Sequence, residues 1–178
     1  LTHQDHEFPI TFVNRGLRNT DLRIQQEKPV TPAFLFAVLL WEPVRLRTEA
    51  LVDSGIHPYE ALQTASTEVL AGQARHVSIP KRFSYPMREI WQLQHRFFQR
   101  NGKRPQRLMT HPRFRAAYDF FLLRAEAGEV EQADADWWVR FVENAPQEAG
   151  QPSGEEKPAG KRRRRRRRRP KKPATTNE

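Results

Sequence analysis

No cysteine occurs in the 178 residues of this chain. Its absence excludes a disulfide framework, a thiol nucleophile and a thiolate zinc site, and it fits a reducing compartment. The longest uninterrupted apolar run, residues 33–41, has nine residues, whereas a helix that spans a membrane needs about 20. The first residues are polar and lack the apolar segment of a signal peptide. We therefore expect no transmembrane segment.

The sequence also lacks the motifs of the common catalytic sites. It has no glycine-rich phosphate-binding loop, no nucleophile elbow and no paired histidine and carboxylate. Asp134 and Asp136 have the spacing of a pair that holds two Mg²⁺ ions in nucleotidyl transfer, but they open a predicted helix, where N-capping and the helix dipole explain them better. His3 and His6 could share one helical face, but no cluster of carboxylates or cysteines completes a metal site with them. The sequence predicts no catalytic residue and no metal site in this chain.

Charge is divided unevenly along the chain. Residues 75–124 contain 12 basic and 2 acidic side chains, a net charge of +10, and residues 161–178 also carry +10. The segments 1–74 and 125–160 are acidic, with −3 and −7. A folded block as basic as 75–124 offers a surface for a polyanion, and nucleic acid is the partner that such a surface favours. The alternative is a solvated basic face with no partner.

The pattern of apolar residues is helical throughout. They recur at spacings of three and four, and no segment alternates as a strand would. We predict an all-α fold, an irregular helical bundle of about six to seven helices. Proline suits the first turn of a helix, and helix starts are predicted at or beside Pro32, Pro58, Pro86, Pro105 and Pro112.

Two of these helices define the predicted core. Residues 33–41 are apolar on every side and are expected at its centre, with Pro43 kinking or breaking the helix behind them. Residues 114–125 form the clearest amphipathic helix. The aromatic residues mostly have the spacing of a core, and stacking on bases is their less favoured alternative. The predicted core contains Phe34, Phe36, Leu40, Trp41, Trp91, Phe114, Tyr118 and Phe121.

We predict three segments along the chain. Residues 1–13 have no clear period and are irregular, or the severed end of an element that begins upstream. Residues 14–145 form the helical body. Residues 146–178, with eight consecutive arginines at 162–169, cannot form a core and are predicted to be a disordered basic tail. Such a tail would bind RNA or DNA phosphates without sequence preference, bind anionic lipid, or serve as a nuclear address in a eukaryote.

Arg113 and Arg115 lie near the start of the predicted helix 114–125. The helix dipole disfavours cations at that end, so they are not expected to be there for helix stability. An anion held between them and the free N–H groups of the helix end would remove the conflict. The alternative is two exposed arginines with no ligand.

Seven segments, in order, resemble the C-terminal half of the bacterial poly(A) polymerase I family, which belongs with the tRNA nucleotidyltransferases. The order and spacing match from about residue 14 to residue 143, and the Arg-rich tail also fits. The segments are NTDLRI at 19–24, PAFLFA at 32–37, WEP at 41–43, IPKR at 79–82, IWQLQ at 90–94, GKR at 102–104 and HPRFRAAYD at 111–119.

The resemblance implies a function that composition alone does not. Enzymes of this family add AMP from ATP to RNA 3′ ends, with Mg²⁺ and ATP held in a catalytic head. The chain lacks the head, so the resemblance implies an RNA-binding body that positions the RNA 3′ region, is inactive alone and holds no cofactor itself. It further implies a bacterial, cytoplasmic protein of RNA decay, with RNA-decay proteins as further partners.

Two alternatives remain open. The chain would also fit a stand-alone nucleic-acid-binding or RNA-decay adaptor module, or a protein-interaction piece whose tail alone touches RNA. If the chain is the RNA-binding body, the expected contacts to RNA phosphates are Lys81, Arg82, Lys103, Arg104, Arg113 and Arg115, with Arg88, Arg96, Arg100 and Arg107 behind them.

Overall fold

A computed structural model describes residues 4–27 and 31–145, which form helices joined by short turns, without a β-strand. The predicted all-α fold is confirmed. The predicted disordered tail, residues 146–178, lies outside the described residues. The α-helices are α1 Gln4–Gln25, α2 Pro32–Leu39, α3 Trp41–Asp53, α4 Pro58–Gln73, α5 Lys81–Leu93, α6 Arg104–Met109, α7 Phe114–Glu126 and α8 Gln132–Glu143, with a 3₁₀ helix at Gln94–Phe98.

Proline sets several helix starts as predicted. Pro32 is the first residue of α2 and Pro58 the first of α4, while Pro105 is the second of α6. Pro43 lies in the first turn of α3, where its missing N–H is no loss, and it cannot donate to the carbonyl of Leu39. Because of this, α2 ends at Leu39 and the predicted break is confirmed.

The predicted start of α5 at Pro86 is wrong. The helix begins at Lys81, behind an extended Pro80 that forms its N-cap (φ −56°, ψ 146°). Pro86 lies inside the helix, where it cannot donate a backbone hydrogen bond, and burial of the apolar face of α5 outweighs that loss. α5 ends at Leu93, where the 3₁₀ helix follows.

α7 confirms the predicted helix 114–125, but Pro112 lies outside its first turn. The helix begins at Phe114, two residues after Pro112. His111 forms a turn in front of it: its carbonyl accepts the N–H of Phe114 at 2.8 Å, and its Nδ1 accepts the N–H of Arg113 at 3.1 Å. His111 therefore closes a turn directly before α7, whose N-cap is Arg113.

α1 begins at Gln4, within the segment 1–13, so of the two alternatives for this segment the irregular one is wrong and the end of a longer element stays a prediction. The buried stripe of this helix includes Phe12, Gly16 and Thr20, spaced by four residues. A Cβ on Gly16 would lie 2.7 Å from Cγ1 of Val38, so the glycine allows α1 to approach α2 closely. Glycine and threonine do not look like a core stripe in the sequence, so the sequence does not reveal which face of α1 is buried.

The buried side chains form two clusters that meet at α7. The first cluster contains residues from each of the helices α1 to α5 and from α7. It includes Phe12, Val38, Trp41, Val44, Met87, Ile90, Trp91, Phe120 and Leu123. The second joins the 3₁₀ helix to α8 and includes Phe97, Leu108, Phe114, Ala117, Tyr118, Phe121, Ala125 and Trp138. Neighbouring residues of α7, Phe120 and Phe121, thus belong to different clusters.

The central helix is therefore α7 rather than residues 33–41. Leu39 is 47% exposed, and Phe34, Phe36 and Leu40 pack against the first cluster while only partly buried. The apolar run fails as a centre because one side of α2 remains at the surface. The other predicted core residues are confirmed as buried, namely Trp41, Trp91, Phe114, Tyr118 and Phe121.

A polar network lies where the two clusters meet. The guanidinium group of Arg124 donates to Glu129 at 2.7 Å and to the side chain of Gln94 at 3.2 Å, and it lies 4.9 Å from the ring centroid of Trp41. The other oxygen of Glu129 accepts the indole N–H of Trp41 at 2.8 Å. Gln94 donates to two backbone carbonyls, in α5 and α7. These bonds connect α3, α5 and α7 with the turn after α7.

Glu129→Gln should destabilise the fold by on the order of 3 kcal/mol, because it leaves the charge of Arg124 buried without its counter-ion. Urea unfolding followed by circular dichroism measures this change. Glu68→Gln is the matched control, since Glu68 pairs with Arg47 at 2.6 Å on the surface, and it should hardly move the unfolding midpoint. Equal effects of the two substitutions would contradict a structural role for the network.

Candidate nucleic-acid interface

Lys81 and Arg82 form the exposed first turn of α5. Both side chains are exposed, and no acidic residue occurs in this turn. No carboxylate within residues 10–27 or 31–145 pairs with either cation. The guanidinium of Arg82 lies 4.8 Å from the ring centroid of Phe83. Two cations at a helix N-terminus oppose the dipole, and an anion bound there would be stabilised by both the cations and the free N–H groups.

Lys103 and Arg104 begin α6 in the same manner. Lys103 is its N-cap and Arg104 its first residue, and both are exposed. Neither has an ion-pair partner in the described part of the chain. The turn in front of them depends on Gly102, which has a φ of +60°, a conformation that glycine adopts without strain.

Arg113 forms an ion pair with Glu89 of α5. Its Nε lies 3.0 Å from Oε2 of Glu89, and the two side chains are 43% and 45% exposed. The ion pair is thus accessible to solvent, where such a pair contributes little to stability. Glu89 offsets part of the charge that Arg113 would present to a phosphate.

Arg115 lies toward α1 instead. Its Nε lies 3.2 Å from Oδ1 of Asp119, whose other oxygen lies 3.4 Å from Arg23. Burial raises the pKa of Asp119, and the charges of Arg115 and Arg23 oppose that rise. Because Arg113 contacts Glu89 of α5, the two arginines reach different neighbours. The predicted anion between Arg113 and Arg115 therefore has no shared site.

The arginines predicted to lie behind these contacts have different surroundings. Arg100 pairs with Asp134 at 2.8 Å and lies 5.5 Å from the ring centroid of Trp137, so it holds α8 in place. Arg88 donates to the hydroxyl of Thr67 at 3.3 Å. For the remaining two, Arg96 and Arg107, no ion pair occurs among the described residues.

The acidic pair of α8 is not arranged for metal binding. Asp134 pairs with Arg100, whereas Asp136 accepts a hydrogen bond from the side chain of Gln132 at 2.9 Å. The predicted N-cap role is wrong, because the N-cap is Glu131, and Asp134 lies in the first turn where it compensates the helix dipole. Within the ranges that the structure covers, no group of three His, Asp or Glu side chains could hold a metal ion.

A cleft of about 220 Å³ opens where the start of α4, the end of α5 and the turn before α7 meet. The sequence gives no sign of this cleft, because its walls come from segments far apart in the chain. Tyr59 is 40% exposed, and its ring centroid lies 5.4 Å from that of His95. The Nδ1 atom of His95 lies 2.6 Å from the carbonyl oxygen of Gln92. The lining residues are Tyr59, Glu89, Gln92, Leu93, His95, Arg96 and His111.

Burial lowers the pKa of both cleft histidines. Burial is the largest cause for His95 and for His111, and the charge of Arg96 lowers both values further. For His111, Arg113 also lowers the pKa while Glu89 raises it. A neutral ring at His111 is consistent with its Nδ1 accepting the N–H of Arg113.

The lowered pKa values predict that the fold loses stability in acid. The unfolded chain binds protons at both histidines as the pH falls through about 6.5, whereas the folded chain binds them only at a lower pH. The contribution of these histidines to the free energy of unfolding should therefore fall as the pH drops from about 6.5 to their lower pKa values in the folded chain. Below those pKa values it should stay constant. Urea unfolding from about pH 8 to about pH 5 measures this. A double variant, His95→Gln with His111→Gln, should show a flatter profile, and an unchanged profile would contradict the assignment.

No helix in the described part of the chain has the length and apolar character needed to cross a bilayer. The fold and the site define an all-α domain with exposed cations at the starts of its helices. The family described as "Polymerase A arginine-rich C-terminus" matches residues 54–172, and the chain belongs to this family.

Curated relatives agree with this assignment. The chain is 42% identical over 140 residues to Poly(A) polymerase I of Salmonella typhi. The matched region covers 77% of this chain and 30% of the relative. It is 40% identical over 139 residues to Poly(A) polymerase I of Escherichia coli O6:H1 and 34% identical over 143 residues to that of Haemophilus influenzae. These matches cover 76% and 79% of this chain and 30% and 32% of the two relatives. The chain thus spans about a third of the relatives' length, and the resemblance seen in the sequence is confirmed.

Proposed function

We propose that the chain is the RNA-binding C-terminal body of a poly(A) polymerase that adds AMP from ATP to RNA 3′ ends. The observation that carries the proposal is the match to the arginine-rich C-terminus of this polymerase. It is supported by a basic block that exposes cations without an ion-pair partner among the described residues. A body of this kind would hold the RNA 3′ region while a catalytic head outside this chain performs the transfer.

The phosphate contacts fall into two groups. Lys81, Arg82, Lys103 and Arg104 are exposed, and no ion pair with the described residues diminishes their charge, so they would be the principal contacts. Arg113 and Arg115 would be weaker contacts, because Glu89 and Asp119 share their charge. Phosphate contacts of this type position the strand without reading its sequence.

ATP and Mg²⁺ belong to the absent head in this proposal. The described residues do not fit the metal pair of nucleotidyl transfer, since Asp134 and Asp136 are engaged by different partners and two such ions need carboxylates that converge on them. The chain alone is therefore expected to be inactive. Cytoplasmic location in a bacterium and contacts with RNA-decay proteins are part of the same proposal.

The alternative is a stand-alone RNA-binding or RNA-decay adaptor module. The coding sequence upstream of Leu1 distinguishes it from the polymerase. The coding sequence there either encodes a nucleotidyltransferase head with its Gly-Gly-x-x-Arg-Asp segment or it does not. A head in the same reading frame would support the polymerase, and an unrelated sequence would support the adaptor.

The double variant Lys81→Gln with Arg82→Gln tests the RNA contacts. Each lost phosphate contact with single-stranded RNA lowers the slope of log affinity against log salt by about 0.7. The variant should therefore bind an oligoadenylate more weakly and lose about 1.4 of that slope. Fluorescence anisotropy of a labelled RNA, titrated at salt concentrations from about 50 to about 200 mM, measures both quantities.

The matched control is Arg15→Gln with Arg47→Gln. It removes the same net charge, but from exposed arginines that pair with Glu126 and Glu68. It should leave the salt slope unchanged. Equal losses in the two double variants would show a diffuse charge effect, and an intact slope in the first would reject Lys81 and Arg82 as contacts.

A further inference from the structure

Two tyrosines depart from the expectation that the aromatic residues of the basic block and its surroundings form the core. Tyr85 is 61% exposed on α5, and Tyr59 is 40% exposed at the mouth of the cleft. Proteins that bind single-stranded nucleic acid stack its bases on exposed aromatic rings within a positively charged surface. The exposure of Tyr59 is more informative, because it occurs inside a concave site.

The cleft and the exposed cations lie along the same helix. Arg82, Tyr85, Glu89 and Gln92 follow one another at spacings of three and four residues, which places them on one face of α5. Glu89 and Gln92 line the cleft, and Arg96 in the following 3₁₀ helix lines it as well. A strand whose phosphates contact the start of α5 would therefore reach the cleft by following this face.

The walls of the cleft provide the groups that a nucleobase needs. Tyr59 and His95 present an aromatic surface, with ring planes at 66° to each other. Gln92 carries an amide that can both donate and accept hydrogen bonds to a base edge, and Arg96 carries a positive charge without an ion-pair partner among the described residues. The volume of about 220 Å³ is below the range of about 300–1,000 Å³ for drug-sized ligands, so it suits a single base rather than a larger molecule.

We propose that this cleft binds one base of the RNA strand, with Tyr59 stacking on the base and Arg96 contacting its phosphate. The inference rests on the proposed function, because the base is delivered by a strand that the basic face binds. It assigns the cleft to a nucleotide within RNA rather than to a peptide or a metal ion. Gln92 then contacts the base edge, while Glu89 remains paired with Arg113 at the rim.

Tyr59→Ala in the full chain tests the proposal. Two oligoribonucleotides of equal length are compared by anisotropy, one with bases and one in which every nucleotide is abasic. Tyr59→Ala should weaken binding of the RNA with bases about tenfold, and Tyr59→Phe should restore it because the ring is retained. The abasic strand keeps its phosphates but has nothing to stack, so it should bind the native chain and Tyr59→Ala equally.

A matched control is Phe98→Ala. Phe98 is 49% exposed in the 3₁₀ helix but packs on Phe121, at 5.6 Å between ring centroids, and does not line the cleft. It should leave RNA affinity unchanged, and thermal unfolding checks that each variant folds.

The outcomes separate this inference from the proposed function. If Tyr59→Ala binds the RNA with bases as tightly as the native chain, or weakens both strands equally, the cleft is not a base site. The Lys81 and Arg82 variant would then still test the phosphate contacts. If the native chain binds neither strand, the proposed function fails and this inference fails with it.

Discussion

The burial of one positive charge constrains the whole helical body. Arg124 lies between two apolar clusters, with Glu129 at 2.7 Å and the side chain of Gln94 at 3.2 Å. Trp41 completes the network through its indole N–H. A cation in this position is tolerated only while its partners stay in place, whereas apolar packing alone accepts small shifts. The network therefore fixes α3, α5 and α7 relative to one another, and the first turn of α5, which carries the exposed cations, is fixed with them.

The basic block thus contains cations with opposite roles. Arg124 and Arg100 hold the fold together, since each is paired with a carboxylate and lies close to a tryptophan. Lys81 and Arg82 lack such partners among the described residues and face solvent at a helix start where the dipole opposes them. Cations that stabilise the fold, such as Arg124 and Arg100, say nothing about a partner, so only the other cations of the basic block can predict one. The cations that remain make the stronger argument for RNA phosphates, because folding alone does not explain them.

How far the sequence predicts this structure depends on the residues concerned. Prolines at helix starts and apolar spacing predict most helices, because both act locally. Phe12, Gly16 and Thr20 escape that analysis, since a glycine belongs to a core stripe only when another helix approaches it closely. The predicted phosphate contacts remain a proposal, as the sequence cannot reveal that Arg113 meets Glu89 across 24 positions. The cleft beside Tyr59 is invisible for the same reason, because its walls meet only in the folded chain.

The central claim is that the folded body, and not only the arginine-rich tail, binds RNA through cations in fixed positions. Its most direct test compares the full chain with a chain that ends at residue 146, using equilibrium binding of a single-stranded RNA at several salt concentrations. The shortened chain should still bind, with lower affinity and a smaller salt slope than the full chain. Complete loss of binding on removal of residues 147–178, in a chain that still unfolds cooperatively, would contradict it.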